Sequence, residues 1–292
     1  MSKLEAVVLA SDFHPRFLNF YPVAKYFWEK HFGVSPRLAI VYHKHQFDLV
    51  RRFRKKNSLA SDVVWLEGHP EATLGNQAKL ARWFLASRVD SNWTTIDDLD
   101  TIHLRADYLS HKFNEAPRGK MLAIGREVYF GQRFEGAFPM GNFSGHKEDF
   151  QSLFELESDS TSFINFVERF RLRTNYRTNP FSKVRDFSDE ELLRDIRYEK
   201  SFDDRIHFAE RGLDITSEWL DRSWWPKMEE IKGNINNYES VNFFRPYYFH
   251  RRRINLALKA LDSNWSSAKV LLPISDTVWN FENQIARILW RA

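Results

Sequence analysis

Short apolar runs alternate with longer amphipathic runs along the first third of the chain. The β-type runs lie at 7–10, 38–42, 63–66 and 93–96, and segments with apolar residues at helical spacing lie between them at 17–28, 46–56 and 74–88. Strands that alternate with helices form parallel sheets, because each helix carries the chain back across a face of the sheet. We therefore predict an α/β fold with a mainly parallel sheet flanked by helices.

The boundaries of the first helix and the helical content of the second half follow from local signals. Pro15 is a helix-start residue and Gly33 a helix-stop residue, so one helix is predicted between them. Helical spacing of apolar residues recurs at 163–170, 189–198, 250–261 and near the end of the chain. With no repeat, low-complexity tract or linker in 292 residues, a single domain with a helical C-terminal part is the simplest prediction.

Composition removes several classes of function. Cysteine is absent, which excludes disulfides, cysteine-ligated zinc, iron–sulfur clusters and thiol catalysis. The net charge of +4 suits an anionic ligand or an anionic membrane surface, and it is weak evidence for nucleic acid, which calls for a concentrated basic face. No apolar run approaches the ~20 residues of a membrane span, so we expect a cytoplasmic protein, with peripheral membrane contact left open.

An acidic cluster follows directly after the fourth β-type run. Asp98 and Asp100 are alternate residues at the end of a predicted strand, and alternate residues of a strand point to the same side. Two carboxylates placed in this way offer the hard oxygen ligands that Mg²⁺ and Mn²⁺ prefer. The alternative is an acidic loop that simply faces water.

Several segments, taken in order, resemble the nucleotide-sugar-dependent glycosyltransferases of the GT-A fold that carry an Asp-x-Asp motif. The resemblance covers most of residues 6–255 and depends on the order of the segments, which are VVLASD at 7–12, TLGNQAKLAR at 73–82, TIDDLDTIHL at 95–104, FPMGN at 138–142, SDEELL at 188–193, LDRS at 220–223 and FFRPYY at 243–248. It implies a GT-A fold, with a nucleotide-sugar part at 1–115 and an acceptor-side, C-terminal helical part at 116–292.

The resemblance also implies roles for individual residues. The donor sugar nucleotide would be bound by polar and charged side chains, namely Ser11, Asp12, Gln77, Lys79, Arg82, Asp98, Arg222 and Arg245. Asp98 and Asp100 would hold Mn²⁺ or Mg²⁺ with the donor diphosphate. Asp189 or Glu190 would be the general base, and Asn142 and His146 would face the acceptor.

One position departs from the pattern of similar enzymes. These often place a histidine that completes the metal site shortly before an Arg-Pro pair, and Asn242 stands at that position here. The third ligand would then be His146, His250 or water, which weakens the expectation of a strict metal requirement.

Several of these residues also have an ordinary structural interpretation. Ser188 and Glu191 fit a helix-capping box around Asp189 and Glu190. His146 fits a surface loop, and Arg222 fits stacking on a neighbouring tryptophan or pairing with Asp221. The basic runs at 51–56 and 251–253 fit either solvated helix faces or patches for an anionic lipid or polymer.

Three functions remain open on the sequence. The first is transfer of a sugar from a nucleoside-diphosphate sugar to a hydroxyl acceptor such as a glycan or polysaccharide. The second is nucleotidyl transfer, which also uses paired carboxylates with a metal, although no glycine-rich phosphate loop is found near the N-terminus. The third is nucleic-acid binding through basic runs and aromatic side chains, against which the 39 acidic residues count.

Overall fold

Strands are distributed along most of the part of the chain that the structure describes. This computed structural model describes residues 4–57, 62–125, 141–156, 161–173, 189–210, 219–220, 238, 240–243, 245, 247–265, 271–272 and 278–284. The strands are β1 Ala6–Asp12, β2 Arg37–Tyr42, β3 Val63–Glu67, β4 Thr94–Ile96, β5 Thr101–His103, β6 Met121–Ile124, β7 Phe143–Gly145, β8 Ile206–Ala209, β9 Trp219–Leu220 and β10 Ser240–Asn242.

Within the described ranges, seven of these strands form one mainly parallel sheet in the order β3-β2-β1-β4-β7-β6-β8. Strand β1 pairs in parallel with β2 and β4, and β7 runs antiparallel to both of its neighbours. A second sheet has the order β5-β10-β9. The carboxyl ends of β1 and β4 therefore point to the same edge of the sheet, and the acidic cluster begins where β4 ends.

Helices cover both faces of the larger sheet. They are α1 Pro15–Leu18, α2 Tyr21–Phe32, α3 Phe47–Lys56, α4 Leu74–Ala86, α5 Ala106–Glu115, α6 Lys147–Phe154, α7 Phe163–Arg173, α8 Asp189–Glu199 and α9 Tyr247–Leu261, with 3₁₀ turns at Lys44–Gln46 and Phe202–Arg205. Residues 278–284 are also helical. The predicted α/β class, with a mainly parallel sheet flanked by helices, is confirmed.

Side-chain alternation in the central strands divides the core into two layers. Val7 and Leu9 of β1 pack with α2, α3 and α9, whereas Ala6 and Val8 pack with α4, α6, α7 and α8 on the other face. Successive strand residues point to opposite faces, so a strand buried on both sides is apolar throughout. This explains why the strand segments are continuous apolar runs in the sequence.

The prediction of one unbroken helix after β1 was wrong. The chain makes the short α1, turns at Asn19 and starts again as α2, in which Pro22 occupies the first turn, where its missing N–H costs nothing. Asn19 is fully buried, and its amide exchanges two hydrogen bonds with the backbone of Leu272 (3.0 and 2.7 Å). This contact with a distant segment fixes the break between the two helices, and the local sequence does not predict that break.

Other helix boundaries follow the predicted signals. Gly33 ends α2 with a φ of 67°, a left-handed conformation that glycine adopts without strain, and its N–H bonds the carbonyl oxygens of Glu29 and Trp28. Thr73 caps the start of α4. Within the described ranges, no helix is both long and apolar enough to cross a membrane.

Candidate functional site

A cavity of about 400 Å³ opens at the carboxyl ends of β1 and β4, where ligands bind in open α/β sheets. Its wall combines carboxylates with cationic side chains. The polar and charged residues among those lining it are Ser11, Asp12, Thr73, Asn76, Lys79, Arg82, Asp98, Asp100 and Arg245. The fold thus gathers at one place most of the donor-side residues named from the sequence.

The acidic cluster is a tight turn between the two sheets. The N–H of Asp97 bonds the carbonyl oxygen of Val8 in β1 (3.1 Å), and the N–H of Thr101 bonds that of Asp98 (3.2 Å). The first bond continues the pairing of β1 with β4, and the second closes the turn. Asp98 and Asp100 both line the cavity as a result.

Asp98 pairs with an arginine from the helix before it. Arg82 of α4 is only 5% exposed, and its Nη1 lies 2.5 Å from Asp98 Oδ1 and 3.3 Å from the carbonyl oxygen of Asp97. The side chain of Asp98 remains 43% exposed. Arg82 therefore holds the acidic turn from the side of α4, while Asp98 stays accessible from the cavity.

Asp100 pairs with a second arginine, contributed by a distant segment. Arg245 donates from Nε and Nη2 to both carboxylate oxygens of Asp100, the Nη2 contact being 2.7 Å, and the side chain of Asp100 is 2% exposed. Burial lowers the pKa of Arg245, but the pair with Asp100 outweighs this effect and leaves that pKa above its ordinary value. The guanidinium also lies 4.8 Å from the ring centroid of Phe17.

The second sheet brings Arg245 to this position. Strand β10 pairs antiparallel with β5, so that Ser240 faces His103 and Asn242 faces Thr101. The N–H of Phe243 then bonds the carbonyl oxygen of Asp100 (2.8 Å), and Arg245 follows two residues later. The pairing of two short strands is therefore what joins Arg245 to Asp100.

A buried polar chain, not foreseen from the sequence, supports the acidic turn. Ser240 Oγ lies 2.6 Å from His103 Nδ1, and His103 Nε2 lies 3.0 Å from Asp97 Oδ2. All three residues are at most 2% exposed. Burial raises the pKa of Asp97, and His103 opposes that rise. These hydrogen bonds connect β10 to the acidic turn. In the sequence, the local hint of them is that Asp97 and His103 stand on either side of the Asp-x-Asp motif.

The Asp98 and Asp100 carboxylates, in this arrangement, do not fit a Mn²⁺ or Mg²⁺ centre. Arg82 and Arg245 contact three of their four oxygens, so a divalent cation on those oxygens would be brought against two guanidinium groups. Asn242, at the position where a histidine was expected, accepts a hydrogen bond from Thr101 Oγ1 (2.6 Å) through Oδ1. Among the described residues, no cluster of three or more histidine and acidic side chains is placed to hold a metal.

Three more of the donor-side candidates, Ser11, Asp12 and Lys79, belong to the cavity wall. All three line the cavity, and Ser11 is buried with its hydroxyl donating to the carbonyl oxygen of Asp12 (2.7 Å). Lys79 lies one turn before Arg82 on α4, so both face the cavity from the same side of the helix. These residues form the β1 and α4 walls of the cavity.

Gln77 has a different position from the one expected of a donor-binding residue. It is fully buried and absent from the wall of the cavity. Its amide donates to the carbonyl oxygens of His69 (2.9 Å) and Ala72 (3.0 Å) and accepts from the N–H of His69 (2.6 Å). Gln77 therefore holds the loop between β3 and α4.

Asn142 and His146, predicted to face the acceptor, do not line the cavity either. Asn142 is buried, has a φ of 65°, and its N–H bonds the carbonyl oxygen of Ile96 (2.9 Å), which places it beside the acidic turn. His146 caps α6 in a reciprocal box with Asp149, and its ring meets that of Trp93 edge-on at 5.2 Å.

Other predicted residues cannot be placed as side chains. The backbone of Asp189 and Glu190 forms the start of α8, but their side chains lie outside the described residues, and so does Arg222. The assignment of the general base therefore stays a prediction. His250, an open candidate for a metal ligand, lies in α9 and is not part of the described cavity wall.

A larger cavity of about 670 Å³ adjoins the first at the ends of β2 and β3. The two share Asp12, Thr73 and Gly75 in their walls, so they lie next to each other. The stacked imidazoles of His43 and His45 line the larger cavity, their ring centroids 5.5 Å apart. From the helical segment 278–284, Asn283 closes this side through contacts of its Oδ1 with His45 Nε2 (3.1 Å) and Gln46 Nε2 (2.8 Å).

The comparisons with known proteins show that this chain is similar to others in structure only. No family model matches the chain, and no curated protein matches it significantly. The galactosyltransferase LgtC, solved with donor and acceptor sugar analogues, aligns at 12% identity over 87% of this chain and 95% of its own, with a TM-score of 0.45. The glycosyltransferase GlyE of Streptococcus pneumoniae aligns at 11% identity over 96% and 64%, with a TM-score of 0.41.

The solved structure of an enzyme with a different activity is similar to this chain to about the same degree. The inositol-1-phosphate CTP transferase of T. maritima aligns at 12% identity over 91% of this chain and 100% of its own, with a TM-score of 0.43. Identities this low do not assign the chain to a family. The function must therefore be inferred from the residues of the cavity itself.

Proposed function

We propose that this protein transfers a sugar from a nucleoside-diphosphate sugar to a hydroxyl group of a glycan or another acceptor. The observation that supports this proposal is the cavity at the ends of β1 and β4, where cationic and acidic side chains line the same 400 Å³. A sugar nucleotide presents a negatively charged diphosphate next to neutral hydroxyl groups, so its site needs both kinds of partner. The resemblance seen in the order of the sequence motifs leads to the same function.

The cationic residues would bind the diphosphate. Arg82 and Arg245 carry guanidinium groups, which match phosphate oxygens in geometry, and Lys79 adds a point charge on the same helix as Arg82. These charges would also stabilise the nucleoside diphosphate as it leaves, because negative charge develops on the bridging oxygen in the transition state. Ser11 and Asp12, at the end of β1, would contact the nucleoside.

The reaction breaks the bond between the anomeric carbon and the diphosphate oxygen and forms a bond to the acceptor oxygen. The acceptor hydroxyl must lose its proton, for which a carboxylate is a suitable base. Asp189 and Glu190 remain the proposed bases. The neighbouring 670 Å³ cavity would provide room for a second molecule beside the donor.

A thermal-shift panel of nucleoside diphosphates and their sugars tests the proposal. At about 100 times its dissociation constant, a bound nucleotide adds ~2.7 kcal/mol to the free energy of unfolding and raises Tm by several degrees. We expect one nucleotide series to produce this shift and Arg82→Gln to abolish it. Arg105→Gln is the matched control, because Arg105 forms an exposed pair with Asp107 (Nη2 to Oδ2, 2.7 Å) and does not line the cavity.

The same panel separates the other two functions. A shift with nucleoside triphosphates alone, followed by release of pyrophosphate, would identify a nucleotidyltransferase. A shift with oligonucleotides alone would identify a nucleic-acid-binding protein. Either result would contradict the glycosyltransferase proposal.

A further inference from the structure

We propose that Arg82 and Arg245, and not a divalent cation, neutralise the acidic turn and the donor diphosphate, so that the donor binds without metal. This inference rests on the proposed function. A site with two carboxylates must offset their negative charge before it can bind a ligand that is itself an anion. Three features of the described residues carry it.

The first feature is the packing of Arg82. Its side chain is 6% exposed and makes contacts with both the carbonyl oxygen of Asp97 and the carboxylate of Asp98. A buried guanidinium with these partners is held in one orientation. A cation bound to Asp98 would therefore lie close to a fixed positive charge that cannot move away into water.

The second feature is the bidentate pair of Arg245 with Asp100. Both oxygens of a nearly fully buried carboxylate are hydrogen-bonded to one guanidinium. A metal ion could use these oxygens only by sharing them with Arg245 or displacing it. Displacement would leave a half-buried guanidinium without its carboxylate, which is costly.

The third feature is Asn242. It lies in β10 opposite Thr101, and its Oδ1 accepts the hydroxyl hydrogen bond of Thr101 (2.6 Å) across the sheet. A carbonyl-type oxygen suits Mn²⁺, but this one is already hydrogen-bonded within the protein. The residue thus serves the pairing of β5 with β10.

The two arginines can replace the function of a cation because each guanidinium has five N–H donors. A bidentate pair with a carboxylate uses two of them, so the same group can bridge to a phosphate oxygen. Asp98 and Asp100 would then act as positioning residues that hold the guanidinium groups at the cavity wall. Lys79 would add a third positive charge on the donor side.

The test measures binding of UDP, GDP, CDP and ADP by isothermal titration, once with excess EDTA and once with Mn²⁺. We expect the nucleotide that binds to have the same Kd in both conditions within about twofold, because its positive partners are side chains. Arg245→Lys should weaken binding about tenfold or more, because a single ammonium cannot bridge carboxylate and phosphate. Arg105→Gln serves again as the control.

Direct Mn²⁺ binding gives a second readout that does not depend on the nucleotide. By electron paramagnetic resonance of free Mn²⁺, the wild-type protein should bind no Mn²⁺ in the micromolar range. Arg245→Gln, if its Tm shows that it folds, should bind more tightly than wild type, because Asp100 is then released. Where that variant does not fold, the wild-type titrations alone decide.

The outcomes are distinguishable. Nucleotide binding that needs Mn²⁺, or that is strengthened by it tenfold or more, would overturn this inference and leave the proposed function intact. Absence of binding in both conditions would contradict the proposed function and the inference with it. Equal affinities in EDTA and Mn²⁺, with loss in Arg245→Lys, would support both.

Discussion

Asp100 and Arg245 are separated by 145 positions in the chain and form a bidentate ion pair at the wall of the cavity. The pair connects the acidic turn after β4 with the segment that follows β10. It therefore joins the two sheets at the point where the candidate site lies. This single contact has both a structural consequence and a functional one.

Removing the charge of Asp100 should lower stability. Asp100→Asn leaves the half-buried Arg245 without its bidentate carboxylate partner, and we expect the free energy of unfolding to fall by about 2 kcal/mol. Urea unfolding at neutral pH measures this. Asp107→Asn is the control, because that carboxylate is 68% exposed and pairs with Arg105 at the surface. Equal stability losses in the two variants would contradict the structural role of the Asp100 pair.

A pH effect is expected at Asp262, which joins the end of α9 to α2. Burial acts to raise the pKa of Asp262, but hydrogen bonds from Lys30, from Tyr26 Oη (2.6 Å) and from the N–H of Asn264 (2.9 Å) outweigh it and leave that pKa below its ordinary value. The folded state therefore binds the proton less well than the unfolded state. The stabilisation is present above the unfolded pKa of about 3.9 and is lost as pH falls through the lower, folded pKa.

The measurement for Asp262 is urea unfolding of wild type and Asp262→Asn over a series of pH values. At neutral pH we expect the variant to be less stable by about 1–3 kcal/mol, because hydrogen bonds to a charged group are lost. The difference between the two proteins should shrink as pH falls below about 4. A difference that stays constant across the series would show that the carboxylate charge is not what stabilises this contact.

We expect Gln77 to contribute to the free energy of unfolding and to contribute less to the affinity for the donor. Gln77→Ala removes three hydrogen bonds to the loop between β3 and α4 and leaves buried backbone groups without partners, which we expect to cost about 2–4 kcal/mol. In a variant that still folds, the nucleotide Kd should change less than it does in Arg82→Gln. The reverse order of effects would restore Gln77 as a donor-binding residue, as the sequence first indicated.

A neighbouring glycine offers an independent test of the same loop. A Cβ at Gly68 would lie 2.7 Å from Gln77 Oε1 and 3.1 Å from a methyl group of Val41. Because the amide of Gln77 is already held by the loop, Gly68→Ala should lower the free energy of unfolding by about 1–3 kcal/mol. Gly75→Ala is the control, since a Cβ there meets no atom within 4 Å. A neutral Gly68→Ala would show that the loop is loosely held.

The proposed bases can be separated from their possible capping role by two measurements. Glu190→Gln and Asp189→Asn keep the shape of each side chain and remove its basicity, so the true base should lose turnover by about 100-fold or more with nucleotide affinity retained. The Tm of each variant reports on capping. A variant that loses stability and keeps specific activity would favour the capping-box interpretation.

Much of the fold could be predicted because its signals are local. Continuous apolar strands, the helix-stop residue Gly33 and the alternation of strand with helix all lie in short windows of sequence. Asp12 ends β1 and Asp98 follows β4, and both line the cavity because the ends of neighbouring parallel strands meet at one edge. The break between α1 and α2 was missed because its cause, the contact of Asn19 with Leu272, spans 253 positions.

The interior of the site was less predictable for the same reason. The resemblance named Arg245 and Asp100 separately, but their pairing depends on the register of β5 with β10. The buried hydrogen bonds of His103 with Ser240 and Asp97 depend on that register too, and the positions of Asp97 and His103 on either side of the motif are only a weak local hint of them. His146 has both a plausible ligand chemistry and a capping geometry, and its packing against Trp93 selects the second.

The most direct measurement is the release of nucleoside diphosphate from a panel of sugar nucleotides, followed by mass spectrometry with wild type and Arg82→Gln. We expect wild type to consume one sugar nucleotide, release its nucleoside diphosphate and pass the sugar to water or a hydroxyl acceptor. Arg82→Gln should do the same far more slowly. Consumption of no sugar nucleotide by a folded wild-type protein, or equal rates in the two proteins, would contradict the assignment of this cavity to sugar transfer.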